Sequence, residues 1–142
     1  MIETSCHCGA VRLKLPHRPQ MLTSCNCSLC RRVGAVWGYY KSSEVTVDTD
    51  AGATVAYVQG DRTLAMHHCA TCGCITHWQS LPSSDDRMGV NYRLADPADM
   101  GAVRVGISMV PIRGPISTNP QQRVDSPAAR RSLPAIPCSA FR

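Results

Sequence analysis

Apolar and polar positions alternate along much of the first hundred residues, in runs too short for helices. Ala10–Leu15 (A-V-R-L-K-L) alternates small or apolar residues with basic ones, the period of a half-buried strand, and Pro16–Gln20 breaks it. Ala35–Tyr40 (A-V-W-G-Y-Y) reads as a strand from its β-branched and aromatic content, and Val45–Val47 as a short one. Asp48–Ala53 carries the Asp, Thr and Gly of a turn. Thr54–Val58 predicts another strand, closed by Gln59-Gly60-Asp61, and Leu64–His68 predicts the next, running straight into Cys69. Ile75–Gln79 follows, then a polar loop at Pro82–Asp86, an extended Arg87–Leu94 and a last strand at Val103–Ile107. Asp96-Pro97 opens a helical turn through Met100, with proline at the first helical position. Short strands punctuated by Gly and Pro predict an all-β domain of short antiparallel strands.

The pattern changes at Pro111. Six of the ten prolines lie at or after it, with several Arg, Ser and Gln. Prolines so close together prevent long regular elements. The expected organisation is one β domain over residues 1–112 and a non-regular, extended or disordered tail over 113–142. Charge divides the same way. The net +5 resolves into +1 for residues 1–112 and +4 for residues 113–142. The domain is therefore not a basic-patch protein, which argues against nucleic acid as its partner. The N-terminus shows no apolar run preceded by basic residues, and no stretch is long and apolar enough to span a membrane. A reducing cytoplasm is the expected setting, and there clustered cysteines mean metal or catalysis.

The cysteines carry the chemistry. Nine in 142 residues is far above ordinary usage, and an odd number cannot pair fully within one chain. Three groups and a single residue stand out. Cys6-His7-Cys8-Gly9 places two sulfurs on one side of an extended segment. Cys25-Asn26-Cys27-Ser28-Leu29-Cys30 puts three thiols within six residues, in what reads as a tight loop and not a regular element. Cys69-Ala70-Thr71-Cys72-Gly73 has the form of a zinc knuckle, and Cys74 follows it alone. Four thiolates at Cys6, Cys8, Cys69 and Cys72 would complete a closed tetrahedral site. Three at Cys25, Cys27 and Cys30 would leave a fourth position open, which separates a catalytic zinc from a structural one. Spacing alone does not dictate this pairing: Cys74, a histidine or Cys8 could close the second site.

Taken together, C-H-C-G-A-V, S-C-N-C-S-L-C-R-R with Gly34-Ala35 after it, C-x-x-C-G-x-x-T-H-W and R-M-G-V-N-Y-R resemble the glutathione-dependent formaldehyde-activating enzyme family, whose domain centromere protein V shares. The resemblance runs from about Thr4 to Val105. It implies a zinc-pinned, mostly β tent. It further implies two zincs per chain, a structural one at Cys6, Cys8, Cys69 and Cys72 and a catalytic-type one at Cys25, Cys27 and Cys30. The activity implied is condensation of formaldehyde with glutathione to S-hydroxymethylglutathione, classed as a carbon–sulfur lyase. Gly106–Gly114 (G-I-S-M-V-P-I-R-G) and the tail depart from the family pattern.

On this expectation a small thiol and an aldehyde are the partners. The open zinc position presents the thiol as a thiolate, which attacks the carbonyl. Arg31 and Arg32 are candidate clamps for substrate carboxylates, against the plainer reading of a solvated pair. His77, beside Trp78, is a candidate acid or base, against a hydrogen-bonded histidine on a half-buried strand. His67 reads as a supporting group, and Trp37, Tyr39 and Tyr40 as core and rim. The alternative function is a non-catalytic binding module with both zincs structural, taking a protein or an acidic polymer. That reading follows if the Cys74 thiolate closes the second site.

Overall fold

The computed structural model describes residues 2–58, 60–81, 85–101 and 103–108. The tail expected over residues 113–142, and with it the boundary at 112, lies outside them. The described chain is mostly strand. β1 (Ile2–Ser5), β2 (Val11–Leu15) and β5 (Thr46–Thr49) form a three-stranded antiparallel sheet with β2 in the middle. The other seven strands are β3 (Leu22–Cys25), β4 (Val36–Tyr40), β6 (Thr54–Val58), β7 (Leu64–Cys69), β8 (Ile75–Ser80), β9 (Met88–Asn91) and β10 (Val105–Ser108). They make a second sheet in the order β10-β3-β4-β9-β8-β7-β6. All its pairs are antiparallel except β10 with β3, which is parallel. An isolated bridge from Thr4 to Ala95 also links β1 to the chain beyond β9.

Side chains on paired strands share a face when they stand opposite each other. In the larger sheet, Val36, Tyr40, Met88 and Val90 fall on one face and pack with Val11, Leu13 and Leu15 of β2. This is the main core, and the three β2 residues are fully buried in it. Trp37, Met66 and Trp78 fall on the opposite face, where they form a second apolar cluster with Cys30 and Ala35. The molecule therefore carries a core on one side of the sheet and a smaller aromatic floor on the other.

One glycine makes that floor possible. Gly89 stands opposite Trp78, and a Cβ there would fall inside the Trp78 indole, against its Nε1. With no side chain in the way, the indole lies across β9 and meets Tyr39 of β4 edge-on, with ring centroids 6.1 Å apart.

The strands expected from alternation are present, most within a residue or two of their expected ends. Arg87–Leu94 divides into β9 and a 3-10 turn at Tyr92–Leu94. The helical turn after Asp96 is α2 (Pro97–Met100), and the Asp96 side chain caps it by accepting from the Ala98 N–H. Two strands, a turn of helix and a 3-10 turn at Ser42–Glu44 were not expected. β1 and β3 are four residues each and rich in Thr and Ser, so they show too little apolar alternation to register. The cysteine loop also contains a turn of helix, α1 (Cys30–Val33), that ends on Gly34 in the left-handed region at φ 64°. Among the described residues no helix is long and apolar enough to cross a membrane.

Candidate metal centre and active site

The chain brings its cysteines together in two places. Cys6 and Cys8 leave the end of β1, and Cys69 and Cys72 leave the end of β7. Their four sulfurs all lie within 4.8 Å of one another. Cys8 Sγ is 3.6 Å from Cys6 Sγ and 3.6 Å from Cys69 Sγ. Those distances are far beyond a disulfide bond of about 2.05 Å. They match thiolates about 2.3 Å from one tetrahedral ion, which stand about 3.8 Å apart. Local backbone geometry holds the loops in place. Cys6 N–H donates to the Val11 carbonyl, and Val11 N–H donates back to Cys6 Sγ at 3.3 Å. Gly73 N–H donates to the Cys69 carbonyl, the turn of a knuckle. The Cys74 N–H donates to the Cys72 thiol and is the foremost reason its pKa falls to about 5, with the Cys8 N–H and neighbouring thiols adding to it against burial.

The second place is the loop from β3 into α1. Cys25, Cys27 and Cys30 hold their sulfurs within 4.8 Å of one another, and no fourth Cys, His, Asp or Glu donor among the described residues joins them. Cys27 N–H points at Cys25 Sγ at 3.5 Å, and Cys30 N–H at Cys27 Sγ at 3.3 Å. The Trp37 indole N–H donates to Cys30 Sγ at 3.3 Å. Burial pushes the Cys30 thiol up to about 12, with the Trp37 N–H opposing and Cys27 adding to the rise. Burial also pushes Cys27 up, but there the Cys30 and Leu29 N–H groups and the two neighbouring thiols outweigh it and hold the pKa below the ordinary value. Ile75, Met66, Trp37 and Trp78 surround the three sulfurs with apolar surface. The C-terminal strand also braces the loop, since Asn26 N–H donates to the Ser108 carbonyl at 3.1 Å.

The remaining expected residues fall as follows. Arg31 and Arg32 are exposed on α1. The Arg32 guanidinium binds the Ser28 carbonyl and so closes its own loop. Arg31 makes no side-chain ion pair or hydrogen bond among the described residues. His77 is 3% exposed and pairs with Val90, which puts it on the main-core face, opposite Trp78. Its Nδ1 is 3.0 Å from the Thr76 hydroxyl, and its ring stacks on His67 with centroids 4.5 Å apart and planes 4° apart. Burial, and then His67, lowers its pKa to about 3, so the imidazole is neutral at neutral pH. Cys74 packs against the main core, takes an N–H from His7 and touches the Cys72 thiol, so it lies beside the four-cysteine cluster and outside the three-cysteine one. Cys138 lies outside the described residues.

Sequence reasoning missed Met66 and the Trp37–Cys30 contact. Both depend on pairing across strands distant in sequence, although W-G-Y-Y seven residues after Cys30 was a usable hint. Asn91 is a brace between β4, β8 and the turn after β9. Its Oδ1 accepts from Val36 N–H and Arg93 N–H, and its Nδ2 donates to the Ile75 carbonyl at 2.8 Å.

A solved crystal structure of a Rhodobacter sphaeroides protein superposes with a TM-score of 0.60 at 34% identity, covering 73% of this chain and 99% of that one. A Halomonas elongata protein named "Putative glutathione-dependent formaldehyde-activating enzyme" is 41% identical over 51 residues, which span 34% of this chain and 32% of the relative. The chain thus matches about a third of that relative's length. The family model described as "Glutathione-dependent formaldehyde-activating enzyme" matches residues 1–104, which include both cysteine clusters and nine of the ten strands in whole. The chain therefore belongs to the glutathione-dependent formaldehyde-activating enzyme family.

Proposed function

We propose that this chain is a zinc-dependent enzyme of the carbon–sulfur lyase type that joins a small thiol, glutathione or similar, to an aldehyde, formaldehyde or similar. The observation that carries this is the three-cysteine cluster, with three converging sulfurs and no fourth protein donor among the described residues. The donor set fits zinc, since three soft thiolates at mutual distances under 4.8 Å suit a tetrahedral d10 ion with one free position. The four-cysteine cluster fits a second, closed zinc by the same chemistry, and Cys6, Cys8, Cys69 and Cys72 are its proposed ligands.

Zinc held by Cys25, Cys27 and Cys30 supplies a Lewis acid that favours thiolate over thiol at neutral pH. The chain's own residues do the rest. Trp37, Met66 and Trp78 shield the sulfurs from water on the sheet side, where charge interactions strengthen as the surroundings dry. The Trp37 N–H offsets part of the negative charge on Cys30. Arg31, with no ion pair of its own, holds a carboxylate of the thiol substrate. His77 acts as a positioning group. Through Nδ1 it fixes the Thr76 hydroxyl, which also donates to the His67 carbonyl at 3.3 Å, and so holds β8 against β7 beside the floor. The proton that the new hydroxyl needs comes from solvent, which reaches the half-exposed Cys25 and Cys27.

The test is the rate of S-hydroxymethylglutathione formation from glutathione and formaldehyde, read by exchange NMR on protein of known zinc content. Wild type is expected to hold two zincs and to accelerate exchange. Cys30→Ser is expected to keep its fold, hold one zinc and give no acceleration. A two-zinc wild type with no acceleration would overturn the enzyme in favour of a binding module.

A further inference from the structure

We infer that the cleft beside the three-cysteine site receives an uncharged aromatic or other bulky apolar group of the carbonyl substrate, so that this chain is built for aldehydes larger than formaldehyde. The inference rests on the thiol–aldehyde reading above and specifies its second substrate.

The cleft has a volume of about 490 Å³ and opens between Tyr39, Tyr40, Thr63, Leu64, Trp78, Arg87 and Met88. Its Tyr39 and Trp78 walls lie on the sheet face of the cysteine site, and Tyr40 and Met88 reach it from the main-core face. Trp78 belongs to both, since it lines the cleft and also packs in the apolar cluster with Cys30 and Met66. Tyr39 lies two residues along β4 from Trp37, whose indole touches Cys30 Sγ. Two residues of strand span about 7 Å, so the cleft begins roughly one side-chain length from the sulfurs. A cavity of about 150 Å³ already accommodates benzene. Formaldehyde, with two heavy atoms, would leave this cleft almost entirely to water.

Charge decides which substrate takes the cleft. Arg87 is the only cation among its described lining residues, and that guanidinium is committed. Its Nε lies 2.8 Å from Asp85 Oδ1 and its Nη2 2.6 Å from Asp85 Oδ2. The Thr63 hydroxyl is likewise engaged, donating to Asp61 at 2.8 Å. Nothing in the described lining is left to neutralise the carboxylates of a glutathione-like thiol, and burying one unpaired is costly. Arg31, on the cysteine loop, is a cation without an ion pair or side-chain hydrogen bond among the described residues. The apolar side chains, by contrast, are open: Tyr39 is 47% and Leu64 38% exposed. The charged thiol therefore belongs at the loop and the neutral carbonyl partner in the cleft. The sulfur electron pair forms the new bond to the carbonyl carbon, the π pair moves to oxygen, and oxygen takes a proton from solvent. No other atom leaves.

The test uses the zinc-loaded full chain with glutathione and either phenylacetaldehyde or formaldehyde, each rate taken relative to its uncatalysed reaction. Acceleration of phenylacetaldehyde is expected to exceed that of formaldehyde at least tenfold. Leu64→Glu places a charge on the cleft wall. It is expected to reduce the phenylacetaldehyde value at least tenfold and to leave formaldehyde within twofold. Equal or greater acceleration of formaldehyde, or equal losses for both aldehydes in the variant, would overturn the inference. Binding of the unreactive 2-phenylethanol, read by tryptophan fluorescence, separates the two levels. Binding that Leu64→Glu abolishes, with neither aldehyde turned over, would sink the thiol–aldehyde chemistry while upholding the cleft's preference for apolar groups. Absence of binding to wild type would sink the cleft assignment whatever the reaction does.

Discussion

Trp78 and Gly89 depend on each other, and the pair shows how much a single hydrogen can decide. Gly89→Ala forces its new methyl into the Trp78 indole, so the ring must leave its place beside Tyr39. Overpacking of this kind costs about 1–3 kcal/mol, and urea unfolding should register that loss. His77 makes a second prediction. Its folded pKa of about 3 lies below its ordinary 6.5 because it is buried, first of all, and then because His67 adjoins it. Below pH 6.5 the unfolded chain takes up a proton that the folded chain refuses until about pH 3. The stability held above pH 6.5 is therefore lost as pH falls through that window, by at most about 1.4 kcal/mol per pH unit. His77→Phe should flatten the decline between pH 6.5 and 5 in urea titrations, compared with wild type. At this scale the sequence was legible for the cysteines, whose identity and spacing are the chemistry. It was not legible for His77. Next to Trp78 it reads as a site residue, but the pairing of β8 with β9 sends it to the main-core face, beside Val90.

At the scale of elements, strands with a clear alternation were readable and strands without one were not. β2 shows V-R-L-K-L against a buried-exposed pattern, and its three apolar residues are the centre of the core. β3, L-T-S-C, carries the first cysteine of the three-cysteine loop yet looks like loop itself, because its identity as a strand comes from its partners β4 and β10. The parallel β10–β3 pair has no local signal at all, since it joins Leu22–Cys25 to Val105–Ser108 across most of the domain. That pair predicts a selective lesion. A chain ending at Gly101 lacks β10 and the Ser108 carbonyl that receives Asn26 N–H. It should keep the zinc of the four-cysteine site and hold the second one weakly or not at all. Elemental analysis should find about one zinc per chain, with the strand signature retained in circular dichroism.

For the whole molecule, the two clusters fasten different things. The four-cysteine cluster brings β1 of the small sheet to β7 of the large one, so a metal held there would be a cross-link between layers. The three-cysteine cluster closes only its own loop. Cys69→Ser should therefore abolish cooperative thermal unfolding, while Cys27→Ser should unfold cooperatively close to wild type with one metal fewer; scanning calorimetry separates the two outcomes. The parallel pairing of β10 also sets a timetable. A chain emerging from the ribosome has all four thiols of the cross-link once Cys72 is out, but the brace for the other loop arrives only with Ser108. Maturation is then ordered by the genetic sequence itself: the scaffold can be soldered first, and the three-cysteine loop is braced last, when the body that must hold it already stands.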